Sequence, residues 1–314
     1  MVICFLWQRI FFTFSTAVGR TRLSSILSIL LLLPLYSPLS AIAVSAETSN
    51  GAATSGQTLS FGVYAHIRST EMIKKMRPLL EHLEWKLARK GVPHKIRMRI
   101  FPTYDDAIHA LVEGWVDFVR FGPVSYVLAK QKNPGIHLLA MESNNGKKWF
   151  SGVISVPLDS SIRSLNDLKG KRFAFGSRSS TTGRYLAQAA LVKAGIRADN
   201  LAGHTYLGRH DKVAFAVASK SYDAGATNEN TYNKYAEKKG LRKIVEFPCV
   251  TKPWVAREDL DGSILSALGS ALLTLSDEKA LEAIKRSGLL PAEDADYDLI
   301  REGMETSKRF DSKP

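Results

Sequence analysis

The sequence is short of the features on which several function classes depend. It holds two cysteines in 314 residues, Cys4 and Cys249, too few for a disulfide framework or a set of spaced thiolate ligands. Its seven histidines show no paired spacing and no cysteine joins them, so a zinc site lacks its ligands and neither metal nor cofactor is expected. No run of five basic residues occurs, although Lys and Arg total 43 against 30 acids. The formal charge of +13 is therefore spread along the chain instead of gathered into a nucleic-acid footprint. Such a field equally concentrates small anions. No uninterrupted apolar stretch reaches the ~20 residues of a membrane span. Walker spacing and G-x-S-x-G are also missing, which argues against a nucleotide loop and an esterase elbow. Acids are absent throughout residues 168–198, a stretch with seven Lys or Arg.

What is present begins with a segment of different character. Residues 1–46 carry Arg9, Arg20 and Arg22 and no acid, then the apolar run 26–33, then Pro34, Pro38 and the small-residue stretch AIAVSA. That order reads as a secretory signal cleaved after Ala46. Cleavage removes three of the 43 basic residues and none of the 30 acids, leaving +10. It also removes Cys4, so the exported chain has no internal disulfide. Cys249 has no histidine near it in sequence and is not read as a nucleophile. Residues 47–57 are rich in Ser, Thr, Gly and Ala and read as a flexible mature N-terminus.

From Thr58 onward, strand and helix patterns alternate, which predicts an α/β fold of mostly parallel sheets with helices on both faces. The helix expected over 71–90 has a core stripe at Ile73, Met76, Leu80, Leu83 and Leu87. Two turn-rich interruptions, at 143–148 and 248–253, suggest two crossings between lobes. In that layout residues 58–142 plus 251–310 form lobe one, residues 149–247 form lobe two, and the interruptions are hinges. A ligand then lies between the lobes at the carboxyl ends of the strands.

Four strand-to-helix junctions converge there. VYAHIRST supplies Tyr64, RFGPVSY supplies Tyr126, and LGRHDK puts Arg209 and His210 at a helix start. The fourth, FAFGSRSSTTGRYLAQAALVKAG, is the most explicit. Ser180 or Thr181 caps its helix, and the first-turn N–H groups point outward with the positive end of the dipole, which makes an anion site. Arg178 stands in this loop, and Gly183 lets a ligand approach the backbone. A hydrolase with Ser180 or Thr181 as nucleophile and His210 as base lacks a third, orienting group. No catalytic residue is assigned.

The blocks DFVRFGPVSYVLA, GSRSSTTGRYLAQAALVKAGI, HDKVAFAVASKSYDAGATN and KPWVAR together resemble the phosphate, phosphite and phosphonate substrate-binding proteins of bacterial ABC importers. The resemblance implies a two-lobed periplasmic binding fold of type II, closing by a hinge over a phosphorus oxyanion. It also implies a periplasmic, monomeric, non-enzymatic receptor that binds no nucleic acid and delivers its ligand to a membrane permease. The alternative is an anion-sensing module that docks on a membrane signalling protein. By the same resemblance the family's anion loop falls on Ser180, Thr181, Thr182 and Gly183, its histidine on His210, and its first-strand tyrosine on Tyr64. Phe121 stands where an aromatic hydroxyl often precedes the Gly-Pro turn, so that donor is either missing or supplied by Tyr126. Relatives that bind aminoalkyl phosphonates are expected to hold the amine with two carboxylates. Here those places fall on Thr231, with Glu229 close by, and on Lys252, which argues against a cationic ligand arm.

Overall fold

The structure is a computed structural model and describes residues 57–64 and 69–312; the expected signal segment and all but the last residue of the expected mature N-terminus lie outside them. The elements follow in the order β1 (Gln57–Tyr64), α1 (Ser69–Arg89), β2 (His94–Phe101), α2 (Tyr104–Val112), β3 (Phe118–Arg120), α3 (Pro123–Lys132) and β4 (His137–Ser143). A second series comprises β5 (Trp149–Pro157), β6 (Arg172–Phe175), α4 (Leu186–Lys193), β7 (Gly203–Tyr206), α5 (His210–Ala218), β8 (Ala224–Asn228), α6 (Glu229–Lys239) and β9 (Leu241–Val250). The chain ends with β10 (Pro253–Ala256), α7 (Gly262–Leu273), α8 (Glu278–Ile284), β11 (Gly288–Leu290) and α9 (Asp298–Lys308).

Local chemistry explains most boundaries. Thr103 opens α2 with a reciprocal capping box to Asp106, Asp261 and Asp277 cap α7 and α8, and Asn228 caps α6. Each side-chain oxygen satisfies a first-turn N–H that has no intrahelical partner. In α1 the buried stripe is Met72, Met76, Leu79, Leu80, Leu83 and Leu87. Met76, Leu80, Leu83 and Leu87 are buried as expected, but Ile73 is 43% exposed, and Met72, one turn before Met76, takes the inward place.

The strands form two sheets, ordered β11-β4-β10-β3-β1-β2 and β7-β6-β8-β5-β9. Parallel pairing joins β1 to β2 and β3, and β6 to β7 and β8. Against the expectation of mostly parallel sheets, both are mixed. β10 is inserted antiparallel between β3 and β4, and β5 is antiparallel to β8 and β9. Each sheet has apolar cores on both faces: one of the first sheet's cores takes side chains from α1, α7 and α8, the other from α2 and α3. The second sheet packs Phe173 and Phe175 on one face and Val213 and Val217 on the other.

The C-terminal segment, expected in lobe one, reaches the second sheet at its end. Phe310 is buried in the second sheet's core, edge-on to Phe175 at 5.4 Å between ring centroids. Gly303 of α9 lies so close to Leu186 that an added Cβ would come within 2.4 Å of it. α9 packs on both lobes, with Ile300 in the core that takes α2 and α3 and Gly303 against Leu186. The two central connections run side by side, with the Thr251 N–H donating to the Lys148 carbonyl at 2.9 Å.

Gly225 of β8 sets how closely α5 approaches its sheet. A Cβ there would stand 2.6 Å from Val213 Cγ1, 2.8 Å from Val217 Cγ2 and 3.1 Å from the Ala174 carbonyl oxygen. A methyl group must push α5, and with it His210, off the sheet. Overpacking of this kind costs about 1–3 kcal/mol. Gly225→Ala should lower the urea midpoint accordingly without changing the slope, and an unchanged midpoint would show that the α5–β8 contact yields freely.

Candidate ligand-binding site

The carboxyl ends of β1, β3 and β8, with the loops after β6 and β7, surround one cleft of about 270 Å³. Of the residues expected from sequence, Tyr64, Ser180, Thr181, Thr182, His210 and Lys252 line it. Ser180, Thr181 and Thr182 are all buried. The helix that follows β6 starts with a wide π turn, Thr181–Tyr185, and Ser180 caps it by accepting from the Gly183 N–H at 3.1 Å. Thr181 reaches the other lobe: its Oγ1 accepts from the Val124 N–H in the first turn of α3 at 3.0 Å. A hydroxyl that accepts one bond still has its own hydrogen to give.

A row of hydroxyls continues from Ser180. Tyr104 brings its hydroxyl beside Ser180 and Tyr64, its ring stacks on Tyr64 at 3.8 Å, and the Lys252 ammonium lies 3.4 Å from the Tyr64 hydroxyl. Burial works against ionisation of Tyr64, but the Lys252 charge, the Tyr104 bond and Arg120 outweigh it and hold the phenol below its ordinary value. Tyr104 moves the opposite way, raised first by burial and then by its neighbour Tyr64.

Three of the expected residues are elsewhere. Tyr126 is fully buried, donates to Asp294 Oδ1 at 2.7 Å and packs on Tyr297. Its position on α3 turns it away from the cleft, so it ties α3 to the C-terminal region and replaces no missing donor. Arg178 is exposed and lays its guanidinium over the Tyr206 ring, 4.3 Å from the centroid. Gly183 is needed for internal packing rather than for ligand approach: its N–H is engaged by Ser180, and a Cβ would meet Ser180 Oγ at 2.9 Å, His210 Cε1 at 3.0 Å and Gly176 Cα at 3.1 Å.

Sequence reasoning missed the cations. Lys75, Arg120, Lys285 and Arg286 line the cleft beside Lys252, and no Asp or Glu does. Behind this wall lies Glu142, with no exposed surface, paired to the Arg120 guanidinium and to Arg286 Nε at 3.0 Å. Burial raises the Glu142 carboxyl, but Arg120, Arg286 and Lys252 more than offset this and hold it below its ordinary value. Burial, then Arg120, Lys285 and Lys252, push the Lys75 ammonium down. Asn228, Asn230 and Thr231 supply neutral polar groups on the second lobe. Arg120 carried one legible signal, a charge closing the apolar strand DFVRF; Lys75, Lys285 and Arg286 carried none.

Among families, the description "ABC transporter, phosphonate, periplasmic substrate-binding protein" matches residues 61–297. A probable ABC transporter phosphite-binding protein, PhnD1 of Prochlorococcus marinus, is 28% identical over 208 residues, covering 60% of this chain and 70% of the relative. The phosphate-import protein PhnD of Mycolicibacterium smegmatis is 24% identical over 275 residues, covering 78% and 84%. The structure of the Prochlorococcus PhnD1 in complex with methylphosphonate shares the fold, with a TM-score of 0.69 at 23% identity over 81% of this chain and 99% of that one.

His210 completes the cleft wall. Its Nε2 is 3.5 Å from Ser180 Oγ, and its buried Nδ1 has no protein partner among the described residues. Burial, and then the Lys252 charge, lower its pKa from 6.5 to about 4, against a smaller opposing pull from Asp211. The folded protein therefore holds the ring neutral while the unfolded chain takes up a proton near the ordinary value. Between those two values the unfolded state binds more protons, so this contribution to stability falls as pH drops from 6.5 toward 4 and then levels off. The Tm advantage of wild type over His210→Gln should shrink across that window. A difference independent of pH would show that the ring is not buried neutral.

Proposed function

The chain belongs to the periplasmic substrate-binding proteins of phosphonate ABC transporters, and from that premise we propose that its cleft captures a phosphorus oxyanion without a cationic arm and passes it to a membrane permease. The observation that carries this reading is the composition of the cleft: hydroxyls and an imidazole facing five cations, with no carboxylate on its surface. Phosphoryl oxygens accept hydrogen bonds and carry the charge such a lining neutralises. Thr181, with its oxygen already accepting from Val124, directs its hydrogen to a ligand oxygen. Neutral His210 offers a ring N–H.

Relatives named for phosphite and phosphate import, and one solved with methylphosphonate, support the same ligand class. Lys252, Asn230 and Thr231 line the cleft, so a ligand ammonium would meet a like charge and neutral amides where a carboxylate would be needed. The reading is one of binding, not catalysis. His210, with a pKa of about 4, is a weak base for activating Ser180, and Ser180 is occupied as a helix cap. Export by cleavage of residues 1–46, and hinge motion at 143–148 and 248–253, are parts of this proposal.

Two measurements test it. Calorimetric titration should show phosphate, phosphite or methylphosphonate binding at least tenfold more tightly than 2-aminoethylphosphonate, a difference of about 1.4 kcal/mol. Lys252→Asp should narrow or reverse that order, whereas tight wild-type binding of 2-aminoethylphosphonate, unchanged in the variant, overturns the proposed charge selectivity. Separately, Thr181→Ala removes a hydroxyl donor to a charged ligand, worth about 1.5–3 kcal/mol. Its affinity should fall by roughly tenfold to more than a hundredfold, with Thr181→Ser retaining most of it. Equal affinity in all three proteins would relocate the site.

A further inference from the structure

The cleft holds more positive charge than a simple phosphorus oxyanion can match. Its five cations are opposed by two carboxylates outside its lining, Glu142, which is shared by Arg120 and Arg286, and Glu282, which acts on Lys75. Three positive charges remain, and near neutral pH a phosphate, phosphite or alkyl phosphonate brings at most two negative ones. Lys75, Lys252 and Lys285 have no ion-pair partner among the described residues. Unmatched like charges in a partly dry cleft repel one another, and the Lys75 ammonium already responds to Arg120, Lys285 and Lys252.

The cations also differ in position. Lys252 lies beside Tyr64, at the end of the hydroxyl row that leads to Ser180. Lys75 comes from α1 and Lys285 follows α8. Lys75 also lines a second, outer groove shared by α1 and α8, where charges of both signs meet: Glu71, Glu278 and Glu282 with Lys74 and Lys279. Lys285 adds an independent observation. It closes α8 with φ 54° and ψ 54°, a left-handed position that favours glycine. A lysine is kept there against the backbone preference, which points to a use for its side chain.

We infer that the ligand carries a second anionic group, a carboxylate or a further phosphoryl, which meets Lys75 and Lys285 while its first phosphoryl group meets the Ser180–Thr182 hydroxyls. The inference rests on the phosphorus-oxyanion reading above and narrows it. Asn228, Asn230 and Thr231 on the opposite lobe bring no charge to the cleft, and Glu282, which acts on Lys75, lies outside the cleft lining. A ligand of this class gains from every lysine in the cleft, whereas methylphosphonate leaves the α1–α8 end unmatched.

The test is titration of the purified protein with phosphonoacetate, pyrophosphate and ethylphosphonate, the last having an uncharged arm of similar size, with methylphosphonate as reference. Phosphonoacetate or pyrophosphate should bind at least tenfold more tightly than ethylphosphonate. The arm that gives the gain identifies the second group as carboxylate or phosphoryl. In Lys75→Gln/Lys285→Gln, checked for an unchanged melting profile, that advantage should fall below threefold while ethylphosphonate still binds. Single Lys75→Gln and Lys285→Gln variants, each retaining one lysine, decide the matter if the double variant fails to fold. Equal affinity of ethylphosphonate and both doubly anionic ligands, or an advantage that survives loss of the lysines, overturns the inference and leaves the parent reading intact. Absence of binding by all four compounds overturns both.

Discussion

Glu142 is a carboxylate with no exposed surface, set between two guanidiniums, and the first lobe's side of the cleft depends on it. Arg120 ends β3, Glu142 lies near the end of β4, and Arg286 precedes β11, so the cluster reaches across β10 and joins most of the sheet's width. The Glu142 N–H also donates to the Lys252 carbonyl at 3.0 Å, which places that lysine beside the cluster. Removing one partner of a buried pair typically costs 3–5 kcal/mol, because the charge left behind is neither solvated nor paired. Here the carboxylate is the shared partner, and without it two guanidiniums would face each other. Its role is to hold Arg120 and Arg286 rigidly in the cleft wall, and planar guanidiniums tolerate this better than a flexible ammonium would.

The second lobe contributes a different kind of order. Its binding groups are short hydroxyls whose directions are fixed by bonds to the opposite lobe. Thr181 accepts from Val124, and Ser179 donates to Asp105 Oδ1 at 3.1 Å. Ser180 and Tyr104 approach each other across the same gap. These contacts join the start of the helix after β6 to the starts of α2 and α3, so the hydroxyls take their geometry only when the lobes are together. The α9 packing on α4, with Phe310 in the second lobe's core, adds an apolar attachment away from the cleft.

What could be read from sequence follows from the range of the forces involved. The Ser180–Thr182 loop and His210 were legible because a helix start is a local event, written in a few adjacent residues. The two lobes were legible because strand and helix periods differ. Tyr126 was misassigned although its helix was foreseen, since one residue of rotation decides whether a side chain meets the cleft or Asp294. β10 was left unassigned because it is four residues long and begins with Pro253, the last residue of the expected 248–253 interruption, whose first three residues instead end β9. The cation cluster was illegible for a stronger reason: Lys75, Arg120, Lys252 and Lys285 are far apart in sequence and are gathered by tertiary structure alone.

Two separate properties of the cleft thus act on a ligand. Hydroxyls with fixed directions select shape, since each hydrogen must find an oxygen at hydrogen-bond distance. The lysines act over a longer range and select charge, raising the affinity of any anion and most of all that of a ligand with several charges. A carboxylate placed among them, where a relative could hold an amine, would cancel part of that field. In this chain Glu142 is instead withdrawn behind the wall, where it orders the arginines without lining the cleft. The same side chain therefore sets the geometry of the cations and leaves their surplus charge exposed to the cleft, and this surplus separates a ligand with two anionic groups from one with a single phosphoryl.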